Sequence, residues 1–268
     1  MSYNNTAPIG VFDSGIGGLT VVKSLMQNLP SENVIYFGDI ARIPYGTKSV
    51  STIKKFTEQT VRFLLNQDVK AIIIACNTIS AVAKDTVLQL AGNIPVVDVI
   101  SAGARAANNN GNKIGVIATP ATINSNAYPR TIHALNPQLE VHSQACALFV
   151  NMIEEGFINH PALELIARDY LASLQSWKLD SLILGCTHYP LITPTINKIM
   201  GNQVKIIDPA ITAVEILSEI LSDTDKLNQS HENGSYRFYV TDVPIKFQAI
   251  GEMFLGHPME HLEVVSVE

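Results

Sequence analysis

The chain alternates short apolar runs with longer amphipathic stretches, and this alternation limits its possible folds more than any other feature of the sequence. The runs are rich in β-branched residues and stay apolar throughout, which is typical of parallel strands buried on both faces. Apolar residues at helical spacing lie between them, for example Leu19, Val22 and Leu25. We predict βαβ units and a parallel sheet, with strands at residues 9–12, 34–37, 71–75, 96–99, 113–117, 139–142, 181–184 and 204–207.

The second half of the chain repeats the first at a nearly constant spacing. Ile-Gly-Val occurs at residues 9–11 and again at 114–116, which is 105 positions later. Cys76 and Cys186 each end an apolar strand 110 positions apart, and Asp98 and Asp208 are also 110 positions apart. Similar strands alone would fit any parallel α/β protein, whereas the paired cysteines and aspartates favour duplicated halves. We predict two pseudo-symmetric, doubly wound α/β lobes with mainly parallel sheets and a cleft between them.

The end of the chain has no counterpart at the end of the first half. A polar surface loop is predicted at residues 222–235, followed by strands at 236–241 and 263–267 and a helix at 244–254. We expect this tail to pack on the first lobe. The predicted division is residues 1–100 and 212–268 for lobe one, which holds Cys76, and residues 101–211 for lobe two, which holds Cys186.

Composition excludes several classes of protein. With 47% hydrophobic and 16% charged residues the chain is not disordered, and a net charge of -6 disfavours a dedicated nucleic-acid binder. No apolar run approaches the roughly 18 residues that span a bilayer, and residues 1–8 lack the basic start and apolar core of a secretory signal. Three cysteines do not make a disulfide framework. We therefore expect a soluble cytoplasmic protein with reduced thiols.

Small and polar residues follow the predicted strands, at the edge where parallel α/β sheets bind their ligands. We expect two such edges to face each other across one cleft, lined by Asp13-Ser14, Gly38-Asp39, Cys76-Asn77-Thr78, Thr119 and Cys186-Thr187-His188.

The turn from Asp13 to Gly18 is rich in glycine, but it has neither the lysine of a P-loop nor the spacing of a dinucleotide fingerprint. Two interpretations stay open at this point. Free amides at the start of the following helix could bind an anion such as a carboxylate. Alternatively, the glycines serve a tight turn that needs positive φ.

Cys76 and Cys186 are the most informative residues of the cleft. A single buried cysteine is usually an apolar core residue, as we expect for Cys146, but two at matching positions in a repeat suggest chemistry. One thiolate can remove a proton from a carbon while the other thiol delivers a proton to the opposite face, which inverts the configuration. His188 is a candidate to polarise the Cys186 thiol or stabilise its thiolate, and Asp13 is a candidate to do the same for Cys76. Because the sequence has no imine-forming lysine motif or metal-ligand cluster, we expect no cofactor and no metal.

Four segments together resemble the glutamate racemases, cofactor-independent members of the aspartate/glutamate racemase family that supply D-glutamate for peptidoglycan. The resemblance covers essentially the whole chain, in order. It rests on Phe12-Asp13-Ser14-Gly15-Ile16-Gly17-Gly18-Leu19-Thr20, Gly38-Asp39 with Pro44-Tyr45-Gly46, Cys76-Asn77-Thr78, and Gly185-Cys186-Thr187-His188-Tyr189-Pro190-Leu191.

The resemblance implies two α/β lobes around one active site, a homodimer, and Cys76 and Cys186 as the two acid/base residues. It implies that Glu154 assists the half that contains His188. The positions that match substrate-binding residues of the family are Asp13, Ser14, Tyr45, Gly46, Asn77, Thr78, Thr187 and His188, with Thr119 and Thr122 near the side-chain end of the substrate. Two departures, Asn151-Met152 where a proline is usual and Ile40 where threonine is frequent, affect neither cysteine.

Three alternatives stay open. The first is an aspartate racemase of the same fold, whose second cysteine motif typically ends in glutamate rather than the His188 found here. The second is a two-lobed binding protein, which has no use for paired thiols. The third is a redox or zinc protein, although the cysteines do not form a Cys-x-x-Cys pair and only His188 is close to one of them.

Overall fold

The computed structural model describes residues 5–243 and 247–267 and contains two β-sheets. Its strands are β1 Ile9–Asp13, β2 Val34–Gly38, β3 Ala71–Ile74, β4 Val96–Asp98, β5 Lys113–Ala118, β6 Glu140–Ala145, β7 Ser181–Gly185, β8 Lys205–Ile207, β9 Tyr236–Val240 and β10 Leu262–Val264. The first sheet has the order β10-β9-β2-β1-β3-β4, and the second has the order β6-β5-β7-β8. Every strand pair among the described residues is parallel, which confirms the predicted fold class.

Helices cover the sheets, and each strand of the sheet interior is buried on both faces. Val11 packs into one apolar core and its neighbour Phe12 into another, because successive side chains of a strand point to opposite faces. This arrangement explains why the strand sequences are apolar throughout. The helices are α1 Leu19–Asn28, α2 Val50–Leu65, α3 Asn77–Val82, α4 Lys84–Ala91, α5 Val99–Asn108, α6 Pro120–Asn124, α7 Ala127–Leu135, α8 Phe149–Glu154, α9 Pro161–Ser176, α10 Thr193–Met200, α11 Pro209–Asp223 and α12 Phe247–Leu255.

The two sheets repeat one topology. The order β2-β1-β3-β4 within the first sheet recurs as β6-β5-β7-β8 in the second. Asp98 is the last residue of β4 and Asp208 directly follows β8. Each accepts a hydrogen bond from the first turn of the next helix, from Ser101 N and Ala210 N respectively, both at 2.9 Å. N-terminal capping of a helix thus accounts for the repeated aspartate. The lobe boundaries after residues 100 and 211 stay a prediction.

The tail returns to the first sheet, as expected. β9 pairs with β2 and β10 pairs with β9, so the tail extends this sheet by two strands. Lys70 holds the loop before β9 in place. Its Nζ forms a buried ion pair with Glu32 Oε2 at 2.5 Å and also donates a hydrogen bond to the Lys226 carbonyl of this loop at 2.8 Å. The predicted helix at 244–254 is α12, and residues 244–246 lie outside the described residues.

Some predicted boundaries are wrong by a few residues. β4 ends at Asp98, because capping by this aspartate starts α5 at Val99. β6 continues to Ala145 instead of ending at His142, since it is an edge strand whose half-buried residues need not be apolar. Among the described residues, no helix is both long enough and apolar enough to cross a membrane.

Candidate active site

The predicted site residues lie at the carboxyl edges of the two sheets. Asp13 is the last residue of β1 and pairs in register with Gly38 of β2, and Cys76 follows β3 after one residue. In the second sheet, Ala118 pairs with Gly185, so that Thr119 and Cys186 directly follow neighbouring strands. The strand order therefore brings each cysteine together with polar residues from the adjacent strand.

Cys76 lies just before α3 and is 5% exposed. Its Sγ is 3.3 Å from Ser14 Oγ, which is within hydrogen-bonding distance for sulfur. Burial and the nearby carboxylate of Asp13 raise the pKa of the Cys76 thiol to about 12, although the hydrogen bond from Ser14 acts in the opposite direction. Near neutral pH this cysteine therefore carries a proton and can act as an acid.

The glycine-rich turn brings the two halves of the site into contact. None of Gly15, Gly17 and Gly18 has a positive φ, so the interpretation based on positive φ is wrong. Glycine is required at 17 because a Cβ there would lie 2.2 Å from Thr187 Oγ1 and 2.5 Å from His188 Nδ1.

The same turn corrects the anion-binding interpretation at one position. Asp13 Oδ2 accepts a hydrogen bond from the Gly18 amide at 2.9 Å, so this amide is already occupied by a carboxylate of the protein. Asp13 thereby fixes the start of α1. Because its charge raises the pKa of Cys76, Asp13 favours the thiol rather than the thiolate.

Cys186 has a different environment from Cys76. His188 Nδ1 is 3.8 Å from Cys186 Sγ, and His188 Nε2 is 2.8 Å from Glu154 Oε1 at the end of α8. Burial opposes a charge on His188, but its hydrogen bonds to Cys186 and Glu154 outweigh this and raise the pKa of the imidazole to about 10. Near neutral pH a buried positive charge therefore lies beside the Cys186 sulfur, where it can stabilise a developing negative charge.

A small cavity borders both cysteine motifs. Its volume is about 10 Å³, close to that of one water site, and its lining includes Asn77, Cys186 and Thr187. Asn77 directly follows Cys76 and is buried, whereas Thr78 is half-buried. A larger surface cavity of about 350 Å³ lies along α5, β8 and α11 and contains neither cysteine, so size alone does not locate the site.

The remaining predicted residues form a neighbouring group. The short 3-10 helix Tyr45–Thr47 contacts α6, because a Cβ on Gly46 would lie 3.3 Å from Ala121 Cβ. At the start of α6, Thr119 Oγ1 and Thr122 Oγ1 are 3.2 Å apart. The loop after β2 that carries Gly46 and the start of α6, which follows β5 of the other sheet and carries both threonines, thus lie against each other.

Asp39 has a positioning role that the sequence did not assign. This buried carboxylate accepts hydrogen bonds from the Tyr45 hydroxyl, from Arg42 Nε at 2.7 Å and from Thr241 Oγ1 at 3.0 Å. It therefore anchors the loop that carries Tyr45. The sequence placed Asp39 after β2, within one of the segments that resemble the family. Residue spacing did not reveal its hydrogen-bond partners.

Comparison with known proteins assigns the chain to one family. A family model described as Asp/Glu/Hydantoin racemase matches residues 9–217 of the chain. The chain belongs to this racemase family. A glutamate racemase of Neisseria meningitidis serogroup A is 54% identical over 262 residues, which cover 97% of each chain.

Solved structures of racemases share the fold over nearly the whole chain. The glutamate racemase of Francisella tularensis in complex with D-glutamate is 58% identical, with a TM-score of 0.93 and 98% of each chain covered. The glutamate racemase of Thermus thermophilus in complex with beta-chloro-D-alanine is 40% identical, with a TM-score of 0.88 and the same coverage. The resemblance inferred from four sequence segments is thus confirmed.

The third cysteine of this racemase-family chain lies in the core, as predicted. Cys146 is fully buried, and its carbonyl accepts a hydrogen bond from the Tyr189 hydroxyl at 3.0 Å. Cys146 directly follows strand β6, but unlike Cys76 and Cys186 it is followed by the apolar residues Ala147-Leu148. Within the described ranges, no group of three or more His, Cys, Asp or Glu residues is arranged to hold a metal ion.

Proposed function

We propose that the protein is a glutamate racemase that interconverts L-glutamate and D-glutamate with two cysteines and no cofactor. The observation that supports this most is the placement of Cys76 and Cys186. Each follows the equivalent strand of a duplicated sheet, and the two motifs border one small cavity. Racemisation by two bases needs one proton-transfer group on each face of a carbon, which two duplicated halves supply.

The two cysteines have environments suited to opposite tasks. The Cys186 thiolate, beside protonated His188, removes the Cα proton of one enantiomer and becomes a thiol. The Cys76 thiol then gives its proton to the opposite face of the carbanion and becomes a thiolate. The reverse reaction uses the same groups with their roles exchanged. The carboxylate of Asp13 beside Cys76 and the protonated imidazole of His188 beside Cys186 support this division of tasks.

Binding of glutamate has to lower the cost of forming a carbanion, since a Cα proton is far less acidic than a thiol. We assign neutral donors to the α-carboxylate of the substrate. Donors that are fixed before the reaction stabilise charge that spreads onto the carboxylate, and such groups are typically worth about 3 kcal/mol each. These donors are Ser14, Asn77, Thr78 and Thr187 with nearby backbone amides, while Tyr45, Gly46, Thr119 and Thr122 serve the side-chain end.

The setting of the reaction follows from the family resemblance. The proposal includes a homodimer in the cytoplasm that supplies D-glutamate for peptidoglycan. It also includes lobe one at residues 1–100 and 212–268 and lobe two at residues 101–211. The contact of Gly17 with Thr187 and His188 supports a site that both lobes complete.

The test of this proposal is turnover by the purified protein without added cofactor. L-glutamate should lose its circular dichroism as D-glutamate forms, and L-aspartate should be unchanged. Conversion of L-aspartate instead would favour the aspartate racemase alternative, and no change with either amino acid would favour a binding protein.

Matched cysteine variants test the mechanism in the same assay. Cys76→Ser and Cys186→Ser should each abolish racemisation, because inversion needs a proton-transfer group on both faces. Cys146→Ala is the control, since it removes a buried thiol outside the site, and it should keep most of the activity. Near-normal turnover by either serine variant would refute the two-base scheme.

A further inference from the structure

One side chain that the proposed mechanism does not use touches both cysteine motifs. Tyr128 of α7 is 1% exposed. Its hydroxyl donates a hydrogen bond of 2.8 Å to Oδ1 of Asn77, the residue after Cys76. Its ring lies against Gly185, the residue before Cys186, where a Cβ would come within 3.0 Å of Tyr128 Cε2.

The ring of Tyr128 is held in place by two glycines. A Cβ on Gly103 of α5 would lie 3.1 Å from Tyr128 Cε1, so any side chain at position 103 or 185 would crowd the ring. The aromatic ring fills the space between α5 and β7 that these glycines leave. The packed ring therefore has little freedom to move, and it fixes the position of the Tyr128 hydroxyl beside Asn77.

The direction of this hydrogen bond sets the orientation of the Asn77 amide. Burial, followed by the charges of Asp98 and Cys186, keeps the pKa of Tyr128 well above its usual value, so its hydroxyl stays a donor. A side-chain amide has one acceptor oxygen and one donor nitrogen. With Oδ1 engaged by Tyr128, the amide offers Nδ2 as its donor, next to the cavity that Asn77 shares with Cys186 and Thr187.

We propose that Tyr128 is a positioning residue for racemisation, which holds the Asn77 amide in the one orientation that presents Nδ2 to the substrate while its ring packs beside Cys186. The proposal rests on the proposed function, because it assigns Asn77 to substrate binding. Tyr128 touches no reacting atom and acts through Asn77.

The variant Tyr128→Phe tests this role, since it removes only the hydroxyl and keeps the ring. Without the hydroxyl the Asn77 amide can turn, and its substrate hydrogen bond is weakened. We expect KM to rise about tenfold for both enantiomers, the effect of losing one well-oriented hydrogen bond. We expect kcat to fall as well, because the same donor stabilises the charge that spreads onto the carboxylate during the reaction. A fall in kcat with KM unchanged would mean that Tyr128 only shapes the scaffold, and it would overturn the proposal.

Two further variants keep the test specific. Tyr189→Phe removes another buried tyrosine hydroxyl, which donates to Cys146 within the second half of the chain, and it should leave KM unchanged. In a background of Asn77→Ala, the change Tyr128→Phe should have no further effect on KM, because its target is absent. Additive effects of the two substitutions would overturn the proposal.

The wild-type protein in the same assay distinguishes a failure of the proposed function from a failure of the role proposed for Tyr128. If wild type fails to interconvert the enantiomers of glutamate, the proposed function is wrong. If wild type is active and Tyr128→Phe has normal KM, the function stands and the role of Tyr128 is wrong. Thermal unfolding of each variant identifies any kinetic change that follows from loss of folded protein.

Discussion

Replacing Glu154 by glutamine is the sharpest test of the electrostatics around Cys186. Glu154 Oε1 is 2.8 Å from His188 Nε2, and the histidine is buried whereas the glutamate is partly exposed. The substitution Glu154→Gln keeps the size and the hydrogen-bonding capacity of the side chain but removes its negative charge. It therefore isolates the electrostatic contribution of Glu154 to the protonated state of His188.

The expected shift follows from the strength of a charged hydrogen bond. Replacing the charged acceptor by a neutral one lowers the worth of the hydrogen bond from about 1.5–3 kcal/mol to about 0.5–1.5 kcal/mol. One pKa unit corresponds to about 1.4 kcal/mol, so the pKa of His188 should fall by about one unit. In the wild type this pKa is about 10. The proposed mechanism needs protonated His188, so activity should be lost as the pH rises through this pKa, and the variant should lose it at about pH 9.

The assay is the pH dependence of kcat in both directions, from pH 6 to 10.5. Only the alkaline limb should move, toward lower pH. Glu155→Gln is the control, because it removes the same charge from the exposed neighbouring residue and should leave the limb in place. An unshifted alkaline limb in Glu154→Gln would show that the Glu154–His188 pair does not set the protonation of the site.

The same group contributes to stability with a defined sign. The pKa of His188 is raised in the folded protein from 6.5 to about 10, so its contribution is fully present below pH 6.5 and is lost as the pH rises through about 10. In Glu154→Gln this loss should be smaller and should be complete at lower pH, which denaturant titrations at pH 6, 8 and 9.5 would detect. An identical pH dependence of unfolding free energy in both proteins would contradict the assignment.

Two other substitutions test contacts at the site. Gly17→Ala should reduce kcat/KM about 100-fold, since its Cβ would come within 2.2 Å of Thr187 Oγ1 and displace the loop by about 1 Å. A Gly17→Ala variant with the kinetics and thermal unfolding of the wild type would contradict this. Asp39→Asn should raise KM for glutamate about fivefold, because the loop of Tyr45 loses its charged acceptor and the Arg42 ion pair; steady-state kinetics with unchanged KM would exclude this role.

Much of the fold could be predicted because the strands are buried on both faces. Such strands are continuous apolar runs, and their order along the chain with intervening helices leaves few topologies. The strand prediction was wrong where a strand is not buried on both faces. Edge strand β6 carries Ser143 and Gln144 with only partial burial, so the apolar pattern ended before the strand did.

The site was predictable to the extent that strand ends define it. Cys76 and Cys186 could each be placed at the carboxyl edge of its own sheet, because parallel strands end at the same side of a sheet. Contacts between distant parts of the chain were not predictable in this way. Tyr128 lies 51 positions from Asn77, and Thr241 lies 202 positions from Asp39, so no local pattern encodes either hydrogen bond.

The glycine-rich turn shows a different limit of sequence reasoning. Glycine was correctly seen as required there, but the reason is close approach of another loop and not a left-handed backbone conformation. Both causes leave the same residue in the sequence. Only the positions of Thr187 and His188 relative to Gly17 distinguish them.

Proton exchange at Cα in heavy water tests the two-thiol mechanism most directly. The purified protein is incubated with L-glutamate in heavy water, the reaction is stopped early, and the enantiomers are separated and analysed by mass spectrometry. Because one cysteine removes the proton and the other delivers a solvent-derived one, we predict deuterium at Cα of the D-glutamate formed and almost none in the remaining L-glutamate. Deuterium appearing in the recovered L-glutamate as fast as in the product would show that one group serves both faces.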